Sequence, residues 1–139
     1  MFTVNSWKRW LRAIVLVATL MPGAGSAQEM VGDMMHDLAL IDGALAPALA
    51  ATRAGDPEAS RLAMEELYRQ WRSFRRMNFE GHSEDPRFVT DLEAVGDRLF
   101  AASLHVDEGK LTEAHAELEA VRVMLLSFRE RYGLVPAPR

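Results

Sequence analysis

The chain contains no cysteine. That absence excludes a disulfide framework, a thiolate metal site, a cysteine nucleophile, a lipid-modified cysteine and covalent c-type haem. Several catalytic signatures are missing too. No G-x-S-x-G marks a hydrolase, and neither the Walker pattern nor the dinucleotide glycine pattern occurs. No alternating, β-branched run argues for strands. Charge of one sign is in short supply: the formal net charge is −4, and the basic residues are spread through the chain. Such a balance does not suit a nucleic-acid binder. With no activated nucleophile or acid–base pair in view, the expectation is a protein that is not an enzyme.

The first 27 residues have three parts. Lys8, Arg9 and Arg12 occur there with no acidic residue, the apolar run AIVLVATLM follows, and Pro22, Gly23 and AGSA close the segment. The run is too short to span a bilayer, which needs about 20 residues. This is the layout of a secretory signal peptide. Arg9 and Arg12 are not adjacent, so the expected route is Sec rather than twin-arginine export. Cleavage is expected after Ala27. Residues 1–27 therefore read as signal peptide, 28–133 as the folded domain and 134–139 as a flexible tail. The expected location is the periplasm, with no stable membrane insertion after cleavage.

Within 28–133, apolar residues recur at alternating steps of three and four, which places them on one helix face. The first stripe is Val31, Met34, Leu38, Ile41, Leu45 and Ala48. Pro47 lies inside this segment and should kink it or end its regular part early. Gly55 stops it, and Asp56-Pro57 opens the next helix with a cap and a proline at the first helical position. The second stripe is Met64, Leu67, Trp71 and Phe74. Around EGHSEDP the period fails, and Asp85-Pro86 repeats the cap-and-proline start. The third stripe is Phe88, Leu92, Val95, Leu99, Ala102 and Val106. EGK makes a tight turn at Gly109. The last stripe is Leu111, Ala114, Leu118, Val121, Leu125, Phe128 and Tyr132, closed by Gly133. The prediction is all-α: an up-down-up-down antiparallel four-helix bundle, since short loops join neighbours that must bury one face each.

The stretch DRLFAASLHVDEGKLTEAHAELEAVRVMLLSFRERYG, from Asp97 to Gly133, resembles the hairpin of the third and fourth helices in the cytochrome b562 family. The shared pattern is an apolar helix, EGK, an apolar residue, a spacer and EA, then a stripe ending in aromatic residues around the closing tyrosine. The remaining helices match in order and approximate length. The resemblance implies a small periplasmic four-helix bundle. It also implies haem held between a methionine of the first helix and a histidine near the end of the last. Met34 or Met35 takes the methionine position. The histidine position, one residue after Phe128, is Arg129, which offers no lone pair to iron. The expectation is the fold of that family without haem.

Other residues suggest metal chemistry. Met30, Met34 and Met35 with His36 offer thioethers and an imidazole, donors suited to copper; the bland counterpart is methionine filling the core. His105 and His115 flank the EGK turn at one level. They either converge on a divalent metal such as zinc, with Asp107 or Glu108 near, or lie on opposite edges of the hairpin. His82 sits among acids in the longest loop, where Asp85 reads as a cap. Arg61, Arg69, Arg72, Arg75 and Arg76 make the second helix basic. The third and fourth are acidic, so rim ion pairs between helices, or an anion on the arginine row, are both available. Trp71, Phe74, Met77 and Phe79 should fill the centre and one end, with Phe79 reaching past the core as a partner surface. The functional expectation is an exported bundle that binds an envelope partner or itself. The alternatives are a copper or zinc binder, or a b-type cytochrome with a non-standard ligand.

Overall fold

The computed structural model describes residues 26–134. The expected leader up to Gly25 and the tail residues 135–139 lie outside the described residues. The described residues up to Gly32 fall in one unit and those from Asp33 onward in a second. All packing discussed below belongs to the second.

Four helices follow in order: α1 (Ser26–Ala54), α2 (Pro57–Asn78), α3 (Pro86–Asp107) and α4 (Leu111–Arg131). The described residues contain no strand. Both proline starts form as the local chemistry dictates. Asp56 accepts the Ala59 N–H at 3.0 Å, and Asp85 accepts the Arg87 N–H at 3.0 Å. Each carboxylate satisfies a helix donor that has no partner within the helix.

Three of the four helices end on a left-handed glycine. Gly55, Gly109 and Gly133 have φ of 69°, 73° and 66°. At each, the following N–H reaches back across the last turn: Asp56 to Ala51 O at 3.1 Å, Lys110 to His105 O at 2.8 Å, and Leu134 to Arg129 O at 2.8 Å. This is the Schellman arrangement, and a side chain at the glycine would strain it. It also folds Leu134 back onto the core, where that residue is 2% exposed. From the sequence, Leu134 belongs to the flexible tail. The reverse turn at Gly133 pulls it in, because the residue after such a glycine packs against the helix it terminates.

The stripes of α2, α3 and α4 are buried as their period requires, apart from a half-buried Tyr132. In α1 the buried stripe begins at Met34 and includes Ala44; Val31 is exposed. Periodicity marks a face and is silent on whether anything covers it. Pro47 does not end α1, which continues to Ala54. Its ring lies on the exposed side, and Ala48, the next residue, remains in the core. Met77 is exposed as well, contrary to its expected place in the interior. Asn78, four residues beyond Phe74, takes the inward position instead.

The segment Glu29–Ala54 is long and apolar enough to cross a membrane by length and composition. It is also the segment that supplies Leu38, Ile41, Leu45 and Ala48 to the core. The buried Thr52, Ser60 and Asn78 side chains are all hydrogen-bonded. The Thr52 hydroxyl donates to Ala48 O at 2.8 Å, and Ser60 to Asp56 O at 2.6 Å. Asn78 donates to Phe74 O and to Asp37, both at 3.0 Å.

Phe74 stacks on Trp71 and meets Phe128 edge-on, with ring centroids 5.7 and 6.1 Å apart. Phe74→Ala should therefore cost about 3–5 kcal/mol through lost burial and a residual cavity. Urea denaturation followed by circular dichroism measures it; a loss below about 1 kcal/mol would mean the site is not the packed centre described.

Candidate functional site: an arginine edge on the second helix

The sulfur and imidazole groups singled out in the sequence differ in exposure. Met30, Met35 and His36 are exposed, whereas Met34 is a core residue. His115 faces α1: its Nδ1 lies 3.0 Å from the Thr52 hydroxyl, and its Nε2 lies 3.8 Å from Glu119. The same edge of α4 reaches α1 through Glu119 to Arg53 and Arg129 to Asp42. The opposite edge of α4 reaches α3, through Glu117 to Arg98 and Arg131 to Asp91. His105 belongs to α3, and its buried Nδ1 has no hydrogen-bond partner among the described residues. The two imidazoles of the hairpin thus have different surroundings. Among the described residues, no three of His, Asp and Glu gather as a group able to hold a metal ion.

His82 is not arranged with its neighbouring acids. Its ring stacks on Phe88 with centroids 4.5 Å apart, and its Nδ1 lies 3.1 Å from Asn78 O. A carbonyl only accepts, so Nδ1 carries the proton in this tautomer.

Arg129 bridges two helices. Its side chain is largely buried, and Nη2 donates to Leu38 O at 3.3 Å and pairs with Asp42. The carbonyl of Leu38 lies one turn beyond Met34, so this guanidinium ties α4 to the part of α1 that carries the buried thioether. Beside it the interior is filled with rings. Phe128 contacts Tyr132 at 4.6 Å, Phe88 at 5.5 Å and Phe74 at 6.1 Å between centroids.

The remaining feature is electrostatic. Most described arginines have a carboxylate within ion-pair distance: Arg53, Arg61, Arg69, Arg98, Arg122, Arg129 and Arg131. Arg72, Arg75 and Arg76 on α2 have none among the described residues. With Phe79 they line a shallow depression of about 350 Å³. Arg72 also borders a groove of about 690 Å³ between α2 and α3, whose walls include Met64, Tyr68, Ser103 and Val106. The arginine row was visible in the sequence. Which of its members lack partners was not, because Glu58 and Glu65 pair with Arg61 and Glu66 pairs with Arg69 along the same helix.

The chain matches no family model, no curated protein and no solved structure.

Both tyrosines of the chain are pushed above the ordinary phenol value. Burial is the main cause in each. Arg72 opposes the effect at Tyr68, while Asp91 and Asp85 add to it at Tyr132. A raised folded-state value contributes stability that is fully present below the unfolded tyrosine range, about 10, and is lost as pH rises through the folded value. Phenolate absorbance should therefore rise only above that range, and alkaline unfolding should accompany it. Asp91→Asn should move the Tyr132 transition back down. A transition at the free-tyrosine value in the native protein would show that neither ring is held as described.

Proposed function

We propose that this is an exported, periplasmic, non-enzymatic bundle that acts by contact, through the arginine edge of α2. The order of its helices is up-down-up-down and antiparallel. Supporting that order, Arg98 pairs with Glu117 and Arg131 with Asp91, so partners lie progressively farther apart in sequence on either side of the Gly109 turn. The fold is that of the cytochrome b562 family, and haem is absent from its function. The donor set supports this. The histidine position is held by Arg129, which has no lone pair and is engaged with Leu38 O and Asp42. Met34 alone cannot supply an axial pair, and Phe74, Phe88, Phe128 and Tyr132 occupy one another's faces and edges in the same core.

One observation carries the contact reading. Arg72, Arg75 and Arg76 lie together around an exposed Phe79 with no carboxylate partner among the described residues, while seven of the eight other described arginines, all but Arg87, have one. Guanidinium groups beside an exposed ring form a surface that is enriched in protein interfaces.

A photo-crosslinking residue in place of Phe79 should give a covalent adduct in the exported fraction. The same residue in place of Ala50, on the exposed side of α1, should give none. Adducts at neither position would end the contact reading. The purified protein should also stay colourless when titrated with haemin. A Soret band that disappears in Met34→Ala would overturn the reading without haem.

A further inference from the structure

We propose that the partner of the arginine edge is a second copy of this chain, docked so that α2 of each protomer lies on α3 of the other. This deepens the contact reading above and rests on it.

The complementary surface is on α3. Glu93, Asp97, Phe100 and Leu104 recur at steps of four, three and four, so they share one helix face. That face is not the buried one, which carries Leu92, Val95, Leu99 and Ala102. Phe100 is 59% exposed and Leu104 44%. Neither Glu93 nor Asp97 has a cation within ion-pair distance among the described residues. An exposed stripe with unpaired acids at one end and two large apolar side chains along its length is more than a solvated helix face.

The two stripes lie on one side of the molecule. The groove between α2 and α3 has Arg72 on one wall and Ser103 and Asp107 on the other. Ser103 and Asp107 stand one turn from Phe100 and Leu104 on the same helix. Their heights agree as well. A Cβ at Gly96 would lie 3.5 Å from Trp71 Nε1, which places the Trp71 indole beside residue 96 of α3 and the two backbones within about a turn of one another in height. Arg72 follows Trp71 directly, and Glu93 and Asp97 flank Gly96.

A two-fold axis running along the helices turns this face onto itself, exchanges α2 with α3 and preserves height. Arg72 and Arg76 of one copy then meet Glu93 and Asp97 of the other, and the pairing occurs twice in a closed dimer. Phe100 and Leu104 come against the groove edge that carries Tyr68 and the exposed Leu62. A two-fold axis across the helices would instead set α2 on α2, arginine against arginine. Like-charge contact disfavours it. An anionic bilayer would attract the arginines but meet Glu93 and Asp97 on the same face. A second copy satisfies both signs.

The test is sedimentation velocity on the full chain, produced with its own leader and recovered from the exported fraction. Wild-type protein should run at twice the monomer mass in low salt and dissociate in high salt, because exposed pairs are screened. Arg72→Glu with Arg76→Glu should weaken association at least about tenfold, and so should Glu93→Arg with Asp97→Arg. All four changes together should restore it. Helicity measured on each variant separates weak association from failure to fold, and Arg72→Gln with Arg76→Gln provides a milder pair. A wild-type monomer at every concentration, or a dimer indifferent to both reversals, would overturn the proposal. Phosphatidylglycerol vesicles distinguish the two failures. A monomer that binds them through Arg72 and Arg76 keeps the contact surface and loses the second copy. A monomer that binds no vesicle and gives no adduct at position 79 loses both.

Discussion

Each helix of this protein has one apolar stripe, and no stripe can be buried except against another. That constraint organises the structure from Met34 to Leu134. The stripes supply Leu38, Leu67, Leu99 and Leu118, all at zero exposure, and the rings of Phe74, Phe88 and Phe128 join them toward one end. Burial of this kind has no direction of its own. Direction comes from the ends of the helices, where Asp56 and Asp85 start a turn and Gly55, Gly109 and Gly133 stop one. Apolar area supplies the drive, and the termini decide where it acts.

Those two ingredients were legible in the sequence for different reasons. A stripe repeats, so Phe88 through Val106 could be read from spacing alone, and all six positions are buried. A cap is local, so Asp-Pro and Gly needed no knowledge of the rest of the chain. The departures from the spacing share a cause as well. Val31 has the right phase but stays exposed, Met77 yields its inward place to Asn78, and Leu134 is pulled in by a turn it follows. Each depends on what stands opposite in space, which spacing along one helix does not encode.

The candidate site was legible only in part, for the same reason. Arginines on α2 were plain, and so was an arginine where the resembling family places a histidine. The use each guanidinium is put to depends on partners far away in sequence. Arg129 reaches Asp42 and Leu38 O across 87 and 91 positions. Arg61 spends its charge within its own helix, on Glu58 and Glu65. Arg72, Arg75 and Arg76 spend theirs on nothing described. Pairing separates residues that composition treats as equal: some cations are occupied by a carboxylate nearby, and others have none among the described residues.

The glycine stops also limit how the molecule can move. Between α1 and α2 only Gly55 and Asp56 intervene, and between α3 and α4 only Glu108, Gly109 and Lys110. Links this short leave no slack for either pair of helices to slide lengthwise. The connection from Phe79 to Asp85 is longer, and the stacking of His82 on Phe88 pins it at one point. The one long connection between the helices is thus tied down by a ring contact, where the two short ones are tied down by their length.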